Sequence, residues 1–582
     1  MTRAILAVVA LPVILGVGVP AQAPPPKPSQ SPSAGDIDRD LLDVTVPRLH
    51  RLYAERTYTV TQVIQWHLAR IDRYNGVYGA VETVLRGSAL AEAARQDADA
   101  AKGETGARGA LWGVPIVIKA NTSVAGQITT AGWEGFTRPG HELVAPRDAT
   151  IVAKLKAAGA IIVGLANMPD LANSDTNRST SFGRTGNAYD VRFSPGGSSG
   201  GVVTAVAANM AVLGNGTDTG NSIRMPAATS ALVGVYPTRG LVSIAGIAPL
   251  DWLLDNTGPI ARTVGDAAIA LEVMAGPDPL DARTAGAPAS AQRPPYGARL
   301  GSATLTGRRF GVPAFVLAGE GVPFHGIPAG VKDAAAETIR KGAETPLRPE
   351  TRAMFMKAVD ALRAAGAEVV VDDGILPTAF ARTASRVATY AYMRDGTDRF
   401  LATFGPAEYR SAAAYEKAVG APLFRSSIGV EDHFRNVGGV RIEQRVLERD
   451  RDADRMYHAP KRAMLAAYLE PLDRLKLDGY VYPAIQMPPP DETMAQDGGL
   501  SGGPHSNTSW VNMIGVPAVV VAAGTYASGL PFGVEFSGRP WTDGDLLAIA
   551  AAWEASTPRR TPPRLVEQGL LPVTPAREGR QP

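Results

Sequence analysis

The chain has 582 residues, 45% of them hydrophobic and 20% charged, and a formal net charge of +2. That length allows two to four domains or one large α/β domain with insertions, and charge of both signs without long blocks offers no footprint for nucleic acid. The absence of cysteine excludes disulfides, thiolate nucleophiles and cysteine-based metal sites, and none of the seven histidines stands in an HExxH or H-x-x-x-H pair, so no metal and no cofactor is expected.

From the N-terminus, Arg3 precedes an apolar run over residues 4–19, too short for a comfortable membrane span and the right length for a signal-peptide core. Cleavage is expected after Ala21, because a cut after Ala23 would place Pro24 next to it. The expected division is a signal peptide over 1–21, a Pro- and Ser-rich disordered linker over 22–35, one catalytic domain over 36–558 and a loose tail over 559–582. The mature protein would then be periplasmic or secreted, with no stable membrane insertion. An uncleaved N-terminal anchor is the alternative.

Leu41, Leu42, Val46, Leu49 and Leu52 recur at helical spacing, and Thr59 or Thr61 is placed to cap a second helix running through Ile71. Residues 89–101 form an alanine-rich helix. Residues 113–119, GVPIVIK, read as a buried strand ending on Lys119. Asp148 is placed to cap a helix over 149–158, and 160–163 is the next strand, which sets up a strand–helix–strand rhythm. A small-residue helix over 199–209 and a strand over 210–214 follow. Residues 325–470 read as a mostly helical, more charged elaboration, before strands at 480–482, 518–522 and 532–536 and a last helix from Asp543. The 62 glycines and 46 prolines predict many turns.

The densest chemical signal is SPGGSSGG, residues 194–201, just before a helix. Glycines there free the backbone, and hydroxyls and N–H groups gather at a helix N-terminus, which favours negative charge. A structural loop or a phosphate cradle would look similar, although no GK[ST] follows. The same residues match G-x-S-x-G, a nucleophile elbow with Ser198 as nucleophile, for which His458 or His505 would have to serve as base. The second signal is GTDTGNSIRMP, residues 216–226, where successive N–H groups in a turn can meet a developing oxyanion. The third is Lys119 at a strand end, which alone would read as a solvated surface lysine.

Taken together, these segments resemble the amidase signature family, whose pattern is GGSSGG followed by GTDTGGSIRxPA after an upstream lysine. Here GGSSGG is 196–201 and GTDTGNSIRMPA is 216–227, which sets Ser198 and Ser222 24 residues apart as the family pattern requires. The resemblance covers roughly 40–275 and 475–555 and includes Asn167-Met-Pro, Gly258-Pro-Ile and Gly515-Val-Pro-Ala518. It implies a large mixed β-sheet covered by helices on both faces. It also implies a serine hydrolase that cleaves amides through an acyl-enzyme. Ser222 would be the nucleophile, Ser198 a relay serine after a cis Gly197–Ser198 bond, and Lys119 a base made neutral by burial. The N–H groups of Thr219, Gly220, Asn221 and Ser222 would form the oxyanion hole, Asp218 and Arg224 would pair to brace the loop, and Ser199 would support the network. The partner implied is a small amide, carbamate or ester, and a homodimer stays open.

Three departures bear on substrate range. Asn221 replaces the usual glycine beside the nucleophile; asparagine tolerates a left-handed backbone, so the turn can survive. Ala120 stands where an Asp often follows the lysine, and Leu165 where a lysine is common. Trp133, Trp252 and the 325–470 region are candidates to shape the pocket. The remaining alternatives are an enzyme acting mainly on carbamates or esters, a silent binding protein on the same fold, and the glutaminase subunit of a tRNA-dependent amidotransferase.

Overall fold

Short apolar runs bounded by glycine and proline build one sheet that organises the molecule. The computed structural model describes residues 34–103, 109–292, 296–423, 438–493 and 503–563. The expected signal peptide, most of the 22–35 linker and residues 564–582 lie outside the described residues. The chain divides into an N-terminal unit, Met1–Asp40, and a main unit, Leu41–Pro582, which carries the sheet and the site described below. Among the described residues no helix is long and apolar enough to cross a membrane.

The sheet strands are β1 (Val81–Val84), β2 (Pro115–Lys119), β3 (Ile161–Ala166), β6 (Leu213–Asp218), β7 (Val233–Tyr236), β8 (Asn256–Ala261), β9 (Arg309–Val312), β10 (Glu368–Val371), β11 (Gly479–Pro483), β12 (Ala518–Thr525) and β13 (Pro531–Ser537). A separate ribbon pairs β4 (Arg178–Ser179) with β5 (Gly183–Arg184). The sheet order is β1-β3-β2-β6-β8-β7-β12-β13-β11-β9-β10, with parallel and antiparallel pairs mixed. Every residue of β2, β3, β6, β7, β8, β11 and β13 is buried. Successive side chains of a strand point to opposite faces, so continuous burial means that both faces are covered. Gly200–Ala207 packs on β2 and β6, Arg224–Thr229 on β7, β12 and β13, Val264–Met274 on β8, and Asp543–Ser556 on β12. This is the large mixed sheet between helices that the motifs implied.

The structure revises several element boundaries. The expected 36–75 helical region is three helices, Ala34–Leu41, Val46–Ala54 and Val60–Tyr78. Thr59, not Thr61, is the cap of the last. Its side chain accepts from Gln62 N, and Gln62 Oε1 accepts from Thr59 N at 2.8 Å, a reciprocal capping box. Asp148 does not cap the helix Thr150–Ala157; its carboxylate instead accepts from Ala125 N at 2.8 Å and pairs with Lys156. The strand expected at 210–214 is Leu213–Asp218, because residues 208–212 turn the chain back from the preceding helix. The 325–470 region is helical but also supplies β10, which pairs in parallel with β9 and ends the sheet. Arg560 of the expected loose tail is anchored, its two terminal nitrogens each 3.0 Å from an Asp43 carboxylate oxygen.

Removing the Thr59 cap leaves an N-terminal N–H of Val60–Tyr78 without its acceptor. Thr59→Ala is expected to lower stability by about 1 kcal/mol, read as a lower urea midpoint at unchanged slope.

Candidate active site

The site grows from the neighbouring parallel strands β2 and β6, paired at Ile116–Leu213 and Val117–Gly214. Parallel strands end at the same edge of a sheet, and open α/β sheets bind ligands beyond such carboxyl ends. β2 ends on Lys119. Its backbone N–H donates to Asn215 Oδ1 at 3.1 Å, and its Nζ lies 3.2 Å from Thr217 O, so the two strand ends are tied together. The Gly- and Ser-rich segment enters from the other side, where Gly200–Ala207 begins. It brings Ser198 Oγ to 2.8 Å and Ser199 Oγ to 2.9 Å from Lys119 Nζ. The Gly197–Ser198 peptide bond is cis.

Lys119, Ser198 and Ser199 are completely buried. Burial pulls the Lys119 ammonium down to about 7, against the opposing pull of the Asp218 and Asp255 carboxylates. Near neutral pH a large share of Lys119 is therefore a free amine in contact with a serine hydroxyl, an arrangement able to take up a proton from it.

β6 runs on into the turn that carries Ser222. Ser222 is 6% exposed and borders a cavity of about 270 Å³, together with Gly220 and Asn221 of the same turn. Among the described residues, the backbone N–H groups of Thr219, Gly220, Asn221 and Ser222 have no hydrogen-bond acceptor within the chain, and Ser222 Oγ makes no hydrogen bond to Ser198. Four donors without acceptors beside a hydroxyl are suited to an oxygen bearing developing charge. Gly220 lets the Phe324 ring lie against the turn, since a Cβ there would sit 2.5 Å from Phe324 Cε2. Asn221 is not left-handed, so the backbone tolerance invoked from the sequence is not what accommodates it. Its side chain turns along the cavity wall and donates from Nδ2 to Asp175 Oδ1 at 3.2 Å.

Asp218 and Arg224 form a fully buried ion pair at 3.1 Å, the pairing that the resemblance implied. Arg224 also reaches Glu535 at 2.8 Å, Asn512 Oδ1 at 2.5 Å, and the Gly220 carbonyl at 2.7 Å, which pins the Ser222 turn from beneath. Burial opposes its charge, but Asp218 and Glu535 outweigh burial and hold the guanidinium protonated. Asp218 Oδ2 accepts from Ile223 N at 2.9 Å, and Asn512 Nδ2 donates to Asp218 Oδ1 at 2.8 Å.

Other sequence candidates fall elsewhere. Ser198 has a lysine partner, not a histidine, which removes the geometric basis of the elbow reading. His505 faces Asp175, with Nδ1 3.7 Å from its Oδ2, and His458 packs edge-on against Tyr457. Trp252 donates to Tyr392 O at 3.0 Å and lies under Arg399, and Trp133 packs edge-on against Phe136; neither borders the cavity. The 325–470 region does contribute to it, through Gly342, Ala343 and Thr345. Asp175, Phe324, Asn512 and Glu535 were not legible as site residues. Phe324, Asn512 and Glu535 stand far in sequence from the serine motifs, Asp175 precedes them, and no local pattern marks any of the four.

A family model described as Amidase matches residues 62–318 and 338–547, which extends the resemblance beyond 40–275 and 475–555 into most of the region between them. Curated relatives include the glutamyl-tRNA(Gln) amidotransferase subunit of Symbiobacterium thermophilum, 33% identical over 90% of this chain and 99% of that protein. The same subunit from Koribacter versatilis is 31% identical over 89% of this chain and 99% of that protein. Among solved structures, native peptide amidase from Stenotrophomonas maltophilia superposes with a TM-score of 0.69 at 28% identity, covering 89% of this chain and 98% of its own. A bacterial aryl acylamidase of the amidase signature family shares the fold with a TM-score of 0.67 at 21% identity, over 88% of this chain and 96% of its own.

Removing the guanidinium would strand two buried carboxylates. Arg224→Ala is expected to destabilise the protein by about 3–5 kcal/mol, measured by chemical denaturation, whereas a near-neutral change would show that Asp218 and Glu535 do not depend on it.

Proposed function

Because this chain belongs to the amidase family and is an enzyme acting on carbon–nitrogen bonds, we propose that it hydrolyses linear amides other than peptide bonds through a Lys119–Ser198–Ser222 triad. The observation that carries the reading is the buried Lys119 Nζ, pulled down to about 7 and 2.8 Å from Ser198 Oγ. A serine hydroxyl is a weak nucleophile and needs such a base. Ser222 Oγ attacks the amide carbonyl while its proton passes to Ser198 Oγ, whose own proton moves to Lys119 Nζ. The N–H groups of the 219–222 turn receive the negative charge that forms on the carbonyl oxygen. Collapse breaks the C–N bond, and the proton on Lys119 returns through Ser198 to the departing amine. Water, deprotonated by the same route, then cleaves the acyl ester and regenerates Ser222. The Ser222–Ser198 hydrogen bond closes with substrate in place, as catalytic hydrogen bonds often do.

Arg3 followed by the apolar 4–19 run supports export to the periplasm or medium. Carbamates and esters are substrates the same chemistry accepts. A second reading is favoured by the relatives, which bear the name of an amidotransferase subunit: this one would act as a glutaminase and hand ammonia to a partner. Fractionation separates the two. Recovery of a shortened chain outside the cytoplasm supports the first, and co-purification with partner proteins and tRNA supports the second.

Ser222→Ala is expected to abolish turnover of a primary amide or anilide and labelling by a fluorophosphonate, with a loss on the order of 10⁴-fold or more. Lys119→Ala should come close to that loss. Full activity in either variant would overturn the triad, and loss in His505→Ala with activity kept in Ser222→Ala would restore the elbow.

The pH dependence follows from the base. Lys119 works only when neutral, so kcat/KM should rise about tenfold per pH unit below the lysine pKa and level off above about 7. A limb that instead falls through pH 7 would contradict a lysine base.

A further inference from the structure

The cavity beside Ser222 has an uneven distribution of charge. Among the described residues that border it, Asp175 is the one carboxylate and His505 the one basic side chain; no lysine or arginine reaches it. Asp175 lies in the cavity wall with 32% of its side chain exposed. Its position is set on three sides. Oδ1 accepts from Asn221 Nδ2 at 3.2 Å, Oδ2 faces His505 Nδ1 at 3.7 Å, and Gly503 packs so closely that a Cβ there would lie 2.3 Å from Asp175 Cβ. The hydrogen bond from Asn221 places the carboxylate one side chain away from the residue that adjoins Ser222.

We infer that Asp175 selects the substrate: this site takes amides that carry a protonated amine a few bonds from the scissile carbonyl, and it disfavours amides with a carboxylate at that place. The inference rests on Ser222 being the nucleophile of this cavity. An ammonium entering beside Asp175 gains a charge-assisted hydrogen bond and leaves no charge unpaired. Asn221, having given Nδ2 to Asp175, keeps Oδ1 as a second acceptor for such a group. A carboxylate in the same place meets the like charge of Asp175 directly, which is unfavourable. Among the described residues that border the cavity, His505 is the one basic side chain to set against that repulsion. Burial and the nearby Asp218 hold the Asp175 carboxyl above the usual range, with His505 and Asn221 pulling it back down, so a cationic substrate also favours its ionised form. The feature bears on the amidotransferase reading too, since free glutamine carries a carboxylate as well as an amine.

The experiment uses the purified full chain and three anilides of one short acyl group: a free α-amine, its N-acetyl form and its N-succinyl form. A fluorophosphonate probe reports Ser222 independently. The expected order of kcat/KM is amine above acetyl above succinyl, with about tenfold or more between the first and last. Asp175→Asn should cut the amine substrate about tenfold more than the acetyl substrate, with KM rather than kcat carrying the difference. Asp175→Ser, which frees the same space without an amide, should give the same loss of preference. An equal fall on all three substrates would mark Asp175 as structural and overturn the inference. So would a wild-type enzyme that prefers the succinyl substrate or shows no preference while Ser222 is labelled; this holds even if neither variant folds. Absence of both labelling and turnover in the wild type would instead overturn the triad, and the inference with it.

Discussion

A lysine ammonium is costly to remove from water, and several kcal/mol are at stake for a fully buried one without a carboxylate in contact. Lys119 is in that position. Its Nζ touches two serine hydroxyls and a backbone carbonyl, and among the described residues no carboxylate oxygen lies within ion-pair distance of it. The cheaper state is the neutral amine, and the protein is built so that this state is available near neutral pH. Two strand ends must meet for this to happen, because β2 supplies the lysine and β6 supplies the Thr217 carbonyl. The Gly- and Ser-rich turn must then close over the amine so that water is excluded. A looser sheet would rehydrate Lys119 and restore its ordinary basicity.

The same sheet carries a second buried charge with the opposite solution. Arg224 remains a cation and is surrounded by Asp218, Glu535, Asn512 and the Gly220 carbonyl. One cluster thereby joins the Ser222 turn to β13 and to the short helix Trp510–Ile514. Two of its partners, Asp218 and Gly220, are sequence neighbours, whereas Glu535 and Asn512 lie 311 and 288 positions away, so the turn is not held by local contacts alone. The two buried bases are told apart by their neighbours: carboxylates keep the guanidinium charged, and hydroxyls let the amine lose its proton.

The cavity in front of Ser222 follows a different logic. The short segments around Asp175 and His505, and the region after Phe324, line it. These are segments outside the strands, placed on a rigid sheet, where binding functions commonly sit. Members of the family bear names as different as amidotransferase subunit and peptide amidase, and differences of that kind fall readily on such segments.

The sequence by itself determined the sheet-and-helix class, the strand ending on Lys119, and the two serine segments, because each rests on a contiguous pattern. Residues 113–119 read as a buried strand whatever lies around them, and GGSSGG and GTDTGNSIRMPA each fit within a dozen positions. Boundaries that depend on long-range pairing were less legible: β8 pairs β6 across some forty residues, and β10 joins the sheet from what reads as a helical region. Only the tertiary structure decided that Lys119 is buried and not solvated, since the difference lies in residues 79 to 98 positions away. It also decided that Asn221 faces Asp175, and that Glu535 and Asn512 complete the Arg224 cluster. A carboxylate's role is set by what it meets in space, and Asp175 and Glu535 meet their partners only after the chain has folded.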